Sequence, residues 1–517
     1  MRVGIIFVYV DYHRRGKRNR FAMQPQIGPL LAGLLPRDVE IDIINETWRE
    51  PDWDKHYDLL FLSCMHSDFD RARQISHYWR RRGAKTVLGG SFASSYPTLC
   101  QPYFDAVAVG DPEGSIGRIY SDFCAGELQP MYVADEYDAA AVATPRFDLV
   151  VDQSPHALCL EATRGCPFTC EFCVLTGLGT RHHTRSVSNV LRDIASGQAV
   201  LRGRVRGYQQ RIVGFCDNNI GGDLAYLREL CTALAPLNIQ WYGAASFNVV
   251  ANRELVTTMA RSGCRALFVG LESFNPSTLQ AMHKHQNVLH KIKATLDHCR
   301  EQGILIVSGL MVSPLTDDAG YIRRIPEYLA ECGLHMPTFI AFETPIPGTP
   351  HFLRLAHQAP SPFLKDALLR DFSGYTLVVQ PGLSSTGEFL QAYRDTVSEV
   401  FSLRNRARKL ADDLPRFIKH GKWLPAAIDT CDVYAANAIP AASRTLLAGS
   451  DTPPPERVPL TDADFDSEEQ QRQIMTPWRV TDMDGRVLDA WVHPNKVFDS
   501  EREKAVRRER RAAAATV

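Results

Sequence analysis

The sequence predicts an α/β protein: a doubly wound N-terminal domain, then a partial (β/α)6 barrel, then a helical C-terminal region. Three observations predict it. Short apolar runs of strand length recur as far as about residue 342, stretches of helical periodicity separate them, and the strand signal then stops. Apolar runs of this kind, spaced by helices, read as strands buried on both faces of a parallel sheet.

Residues 1–130 form the first unit. Strands read at Val3–Val10, Val39–Ile44, Leu59–Ser63, Thr86–Leu88 and Ala106–Val109, with helices at Ile27–Leu35 and Phe69–Arg82. This alternation is Rossmann-like. Residues 131–155 carry little pattern and read as a linker. A second series fills 156–350, with strands at Ala157–Ala162, Arg211–Cys216, Trp241–Ala245, Ala266–Gly270, Leu305–Met311 and Thr338–Phe342. Helices fall between them at Asp223–Leu234, Arg253–Ser262 and Val288–Gln302. A full eight-unit barrel takes about 250 residues, so this one is partial; its chemistry belongs at the C-terminal ends of the strands. Residues 351–448 read as mainly helical. Residues 449–517 read as a linker rich in Pro, Asp and Gln, then a tail of Arg, Glu and Ala. That tail has the composition of a solvated helix or frayed end.

The bulk numbers narrow the function. A chain of 517 residues exceeds one compact core and predicts two or three domains. A net charge of −1 gives no steering toward nucleic acid, so no such partner is expected. No apolar run nears the roughly 20 residues needed to cross a bilayer. The start lacks a signal-peptide cleavage region, and a cytoplasmic location is expected. Of 13 cysteines most are single; Cys64, Cys216, Cys264 and Cys299 read as buried free thiols of a reducing compartment.

Three cysteines are bunched. Glu161-Ala-Thr-Arg-Gly-Cys166-Pro-Phe-Thr-Cys170-Glu-Phe-Cys173 has the spacing Cys-x3-Cys-x2-Cys and follows the first strand of the second series. Thiolates are the usual protein ligands of iron–sulfur clusters, and three of them leave one iron of a cubane open to a small molecule. A zinc site with His182 or His183 as fourth ligand is one alternative, and plain buried thiols are another. The loop, including Arg164-Gly165-Cys166-Pro167 and Phe172, resembles the cluster loop of the radical S-adenosylmethionine (SAM) superfamily. The resemblance implies a 4Fe–4S cluster held by Cys166, Cys170 and Cys173, SAM on the open iron, and the Phe172 backbone directed at the adenine. No other Cys-x-x-Cys pair exists, so one cluster is expected.

Three later segments resemble strand ends of that family: Gly214-Phe-Cys-Asp217-Asn218-Asn219, Ala245-Ser246-Phe-Asn248 and Gly270-Leu-Glu272-Ser273. By this likeness Asp217, Ser246 and Glu272 bind SAM; a carboxylate suits its ribose diol or ammonium. The alternative for each is a polar residue capping the next helix. Met282-His-Lys284-His-Gln286-Asn287 and Thr344-Pro-Ile-Pro347-Gly348-Thr349-Pro350 also resemble the family, but turn geometry alone accounts for them.

The first unit resembles the cobalamin-binding domain of one radical SAM subgroup. Gln24-Pro25-Gln-Ile-Gly28-Pro-Leu-Leu-Ala32 matches its Pro-Pro-x-Gly-Leu segment imperfectly, and Val87-Leu-Gly89-Gly90-Ser91 its glycine turn. Val109-Gly110-Asp111-Pro112-Glu113-Gly114 stands where the subgroup shows Gly-Glu-Gly-Glu. Asp11-Tyr-His13-Arg-Arg-Gly16 fits Asp-x-His-x-x-Gly, with which other cobalamin proteins ligate cobalt; Ser63 follows His13 by 50 residues and Gly89 by 76, as in those proteins. The likeness marks Ser63, Gly89, Gly90, Ser91 and His13 for cobalamin; otherwise His13 is a solvated loop histidine among arginines.

The resemblance as a whole implies a class B, cobalamin-dependent methyltransferase. It would act on an unactivated carbon of a small-molecule or lipid substrate and take electrons from a flavodoxin or ferredoxin. The run of the chain also resembles the hopanoid and natural-product methylases and the anaerobic porphyrin ring cyclase. Ring closure or rearrangement without methyl transfer therefore stays open, as does a non-enzymatic iron–sulfur sensor.

Overall fold

The computed structural model describes residues 1–9, 25–134, 137–153, 158–419, 423–435 and 458–494. His13 and the tail beyond residue 494 lie outside the described residues. Strands β1 (Arg2–Phe7), β2 (Glu40–Asn45), β3 (Leu59–Ser63), β4 (Lys85–Gly89), β5 (Ala106–Val109) and β6 (Met131–Val133) form one parallel sheet in the order β2-β1-β3-β4-β5-β6. Strand β6 was not expected; it lies in the stretch read as linker, where three residues are too few to show a period. The order reverses between β1 and β3, and ligands of such sheets bind outside the C-terminal strand ends at that reversal.

The second sheet holds the barrel. A short β7 (Cys159–Leu160) is followed by a hairpin, β8 (Thr163–Arg164) and β9 (His183–Thr184). Then come β10 (Ile212–Phe215), β11 (Gln240–Ala245), β12 (Cys264–Glu272), β13 (Leu305–Val312) and β14 (Phe339–Phe342). Six strands are parallel in the order β14-β13-β12-β11-β10-β7, and the sheet stays open. Ser186, Asp223, Asn252, Asn275 and Asp318 cap the helices starting at Val187, Leu224, Arg253, Pro276 and Ala319, each accepting a backbone N–H. Asp217 and Glu272 are not among these caps, and Ser246 stands at the N-cap of Phe247–Val250 without a side-chain cap bond. At the open edge, Phe342 N donates to Gly374 O at 2.7 Å.

The C-terminal region is helical, as expected, apart from one stretch. After Pro350–Ala356, the chain to Ser385 is mostly irregular; helices resume at Thr386–Val400, Leu403–Lys419 and Trp423–Ala435. Phe417 and Ala426 pack on Ala266 and Leu305, near the N-terminal ends of β12 and β13, so these helices close the floor of the barrel. Residues 458–477, expected as linker, pack against the first domain together with 478–494. Trp478 meets Phe69 edge-on at 4.9 Å, and Trp491 meets Tyr96 at 5.3 Å. Arg73, fully buried, donates to Gln473 O and Thr476 O. A polar composition reads as linker, yet a few aromatic anchors carry this packing. Among the described residues no helix is long and apolar enough to cross a membrane.

Candidate active site

The cysteine loop leaves β8 through Gly165, whose φ is +79°. A Cβ there would stand 1.8 Å from Arg181 O, so only glycine lets the hairpin close. Gly165 N donates to Asn218 Oδ1 at 3.2 Å. Cys170 is buried, and Cys166 and Cys173 are half-buried. The thiols have N–H donors: Asn219 Nδ2 to Cys166 Sγ at 3.7 Å and Gln286 Nε2 to Cys170 Sγ at 3.9 Å. Backbone amides of Leu175 and Thr176 serve Cys173. Burial pushes the Cys170 and Cys173 thiols up, and the nearby Lys284 ammonium pulls both back down. Three thiols on one loop, with N–H donors and a cation beside them, are the donor set a cluster needs. Among the described residues no three His, Cys, Asp or Glu side chains converge on a single-ion site. His182 lies against Gly222, and His183 against Tyr137 at 5.0 Å between rings, so the zinc reading gains no support.

Asp217, expected on the SAM wall, turns to the base of the loop instead. Its carboxylate accepts from Ala162 N (3.1 Å), Thr163 N (2.5 Å) and Thr163 Oγ1 (2.6 Å). Burial pushes it up to about 7 against those donors. It anchors the strand that leads to the cysteines and is spent on that backbone. The neighbouring Asn219 takes the place nearer the mouth: its Oδ1 accepts from Ser246 N at 3.2 Å and Ser246 Oγ at 3.3 Å. The sequence showed the polar cluster, but period-2 alternation of a four-residue strand does not say which member faces inward.

Glu272 ends β12 in a left-handed conformation, φ +64°, at a break of register between Gly270 and Glu272. Such backbone is costly for a non-glycine residue and clusters at functional sites. Asn287 holds it, donating to Gly270 O at 3.0 Å and Leu271 O at 2.8 Å. A Cβ on Gly270 would stand 2.0 Å from Glu272 Oε1. Lys284 Nζ donates to Glu272 Oε1 at 2.6 Å and lies 5.8 Å from the Phe172 ring centre. Glu272, Lys284 and Phe172 thus meet beside the cysteines. The 282–287 segment, which turn geometry alone would explain, supplies Lys284, Gln286 and Asn287 to this site.

Beside the reversal of the first sheet, Ser63 and Gly89 are register partners at the ends of β3 and β4. Gly90 has φ +101°, and a Cβ on it would stand 3.1 Å from Ser63 Oγ and Cys64 O. Ser63, Gly89, Gly90 and Ser91 are half-buried and line a shallow cradle, into which a side chain at Gly90 would intrude. This fits a ligand that lies close to backbone, as the tail of cobalamin would.

The two strand-end faces are joined. Arg164 Nη1 donates to Asp111 Oδ1 at 2.8 Å and Glu113 Oε2 at 2.9 Å, and Nη2 to Glu113 Oε1 at 2.9 Å. Glu161 completes the cage, and the guanidinium sits 4.5 Å from the Tyr137 ring centre. Gly348, from the loop after β14, lies against Ser95 and Tyr96, a Cβ there being 3.4 Å from both.

Comparison with known proteins agrees with this geometry. The Radical SAM superfamily profile matches residues 160–322. The bacteriochlorophyllide d C-8(2)-methyltransferase of Chlorobaculum tepidum is 25% identical over 332 residues, covering 62% of this chain and 73% of the relative. The hopanoid C-2 methylase of Rhodopseudomonas palustris is 23% identical over 354 residues, covering 65% of each. Among solved structures, the radical SAM methyltransferase TsrM of Kitasatospora setae, with cobalamin and a 4Fe–4S cluster bound, superposes with a TM-score of 0.57 at 15% identity, over 76% of this chain and 90% of that one. The cobalamin-dependent radical enzyme OxsB, with aqua-cobalamin and SAM bound, gives 0.56 at 14% identity, over 84% of this chain and 72% of that one. The chain is a radical SAM enzyme related to the cobalamin-dependent radical SAM methyltransferases.

Proposed function

We propose that this protein is a cobalamin-dependent C-methyltransferase that acts on an unactivated carbon of an apolar small molecule or lipid. One observation carries the reading: the C-terminal strand ends of the two parallel sheets meet, where Arg164 beside the cysteine loop bonds Asp111 and Glu113 of the domain that bears the cradle. When bound, a reduced cluster supplies the electron that cleaves SAM, and cobalamin supplies the methyl group.

This chain's residues do the placing. Cys166, Cys170 and Cys173 hold the cluster. Glu272, Lys284, Ser246 and Phe172 orient SAM, and Asp217 and Asn219 fix the loop they face. Ser63, Gly89, Gly90 and Ser91 seat cobalamin. Phe268, 37% exposed, and Phe339 stack at 6.0 Å on the sheet and offer an apolar floor to substrate. The substrates named for the two methylating relatives are a bacteriochlorophyllide and a hopanoid. We take from them a large apolar ring system as the substrate class. A flavodoxin or ferredoxin delivers the electron.

The test is anaerobic reconstitution with iron, sulfide and cobalamin, then gel filtration and assay for 5′-deoxyadenosine. About one cluster and one cobalamin retained per chain, with 5′-deoxyadenosine formed from SAM, is the expected result. Formation of 5′-deoxyadenosine without cobalamin retention would replace methylation by a ring-forming reading. A loaded cluster that never cleaves SAM would remove the enzyme reading.

A further inference from the structure

Arg164 reaches from the cysteine loop into the other domain. It stands two residues before Cys166, with only Gly165 between, and Gly165 is pinned by Asn218 and by the backbone of Arg181. A shift of Arg164 therefore reaches Cys166 with little slack. Its guanidinium makes a two-pronged contact with Glu113 and a third bond to Asp111, both in the loop that follows β5 of the other domain. The Glu113 side chain is nearly fully buried there. From that loop the connection continues: Gly110 N donates to Ser94 Oγ at 3.0 Å, and Ser94 lies on the short helix that opens at Ser91, next to Gly90. An unbroken run of hydrogen bonds and short backbone thus joins the cysteine loop to the cradle.

We propose that Arg164 is a positioning residue, an interdomain latch with Asp111 and Glu113 that sets the distance between the cluster and the ligand in the cradle. The proposal rests on the reading of the cradle as a cobalamin seat. Transfer between two bound groups depends steeply on their separation, and a misplacement of about 1 Å can cost 100-fold in rate. A fork is needed because a guanidinium fixes both direction and distance toward a carboxylate, whereas an ammonium fixes neither. Other contacts hold the domains together without it: Arg146 N donates to Pro29 O at 2.9 Å, and Thr144 Oγ1 to Asp193 Oδ1 at 2.8 Å. Loss of the latch therefore loosens a distance rather than separating the domains.

The experiment compares holoenzyme, loaded with cob(II)alamin and a reduced cluster, with Arg164→Lys and with Asp111→Asn/Glu113→Gln. The second variant breaks the latch from the far side and leaves the cysteine loop untouched. Pulsed EPR reads the separation of the two spins. A single narrow separation is expected in the parent, and a broadened or displaced one in both variants at unchanged iron content. Hydrogen exchange in cluster-only protein is the second readout. The amides of Gly110, Asp111, Glu113, Gly114 and residues 161–166 should exchange about tenfold faster in both variants, as local opening free energy falls by about 1.4 kcal/mol. An unchanged separation and unchanged exchange would overturn the latch. If the parent takes up no cobalamin, the cobalamin reading fails, while the exchange result still decides whether Arg164 holds the interface.

Discussion

Glu272 and Lys284 meet at 2.6 Å beside the cysteine loop, and the carboxylate reaches that point only because its backbone is left-handed and Gly270 has no side chain. The pair is partly buried, so the two charges are drawn out of water and hold each other. Substituting Gly270→Ala puts a Cβ 2.0 Å from Glu272 Oε1 and must displace it. SAM affinity is expected to fall about tenfold or more, the worth of one charge-assisted hydrogen bond. Equilibrium dialysis against labelled SAM, with iron content as control, reads this; an unchanged affinity would remove Glu272 from the SAM site.

Each cysteine of the triplet is expected to be indispensable. Cys166→Ala, Cys170→Ala or Cys173→Ala should lower iron per chain severalfold, bleach the visible absorbance and abolish 5′-deoxyadenosine formation. Cys124 is exposed and lies on the other domain; Cys124→Ser is expected to keep iron and SAM cleavage.

Glu343 gives a pH signature. Burial pushes its carboxyl from 4.5 up to about 7, and the same burial pushes His351, whose Nδ1 lies 3.6 Å from Glu343 Oε1, down to about 4. Between those two carboxyl values the folded chain keeps a proton that the unfolded chain has lost. The stability this group contributes is full below pH 4.5 and drains as pH rises through about 7. Glu343→Gln is neutral at every pH and lacks that slope. Relative to the parent, its melting temperature should rise by about 3 °C on going from pH 5 to pH 8. A parallel shift of both proteins would show that Glu343 does not titrate there.

The 458–494 segment is expected to be part of the first domain's core. Trp491 is buried, and Tyr96 Oη donates to its carbonyl at 2.9 Å. Trp491→Ala should cost on the order of 3–5 kcal/mol in that domain. A chain ending at residue 457 should expose Phe69, Phe92 and Tyr96 to proteolysis. Resistance equal to the full chain would contradict this.

Much of this was legible in one dimension. The triplet lies within eight residues, and a buried parallel strand reads as an apolar run, so β3 and β5 were expected with the bounds they have. What was hidden depends on distance along the chain. Arg164 meets Glu113 across 51 residues, and Trp478 N meets Asp70 across 408. Neither pairing leaves a local period or spacing. Asp217 was visible as a polar strand end but not its direction, which is set by the N–H groups of Ala162 and Thr163. The left-handed turn at Glu272 was equally silent, because nothing about Gly-Leu-Glu demands it.

SAM cleavage and methyl transfer are expected to meet in one interdomain site. The most direct measurement uses reconstituted holoenzyme holding cob(I)alamin, given SAM with a trideuterated methyl group, and reads the bound cobalamin by mass spectrometry. Trideuteromethyl-cobalamin on the protein is the expected result, with 5′-deoxyadenosine formed only when Cys166, Cys170 and Cys173 are intact. Retained cobalamin that stays unlabelled while SAM is cleaved would contradict it.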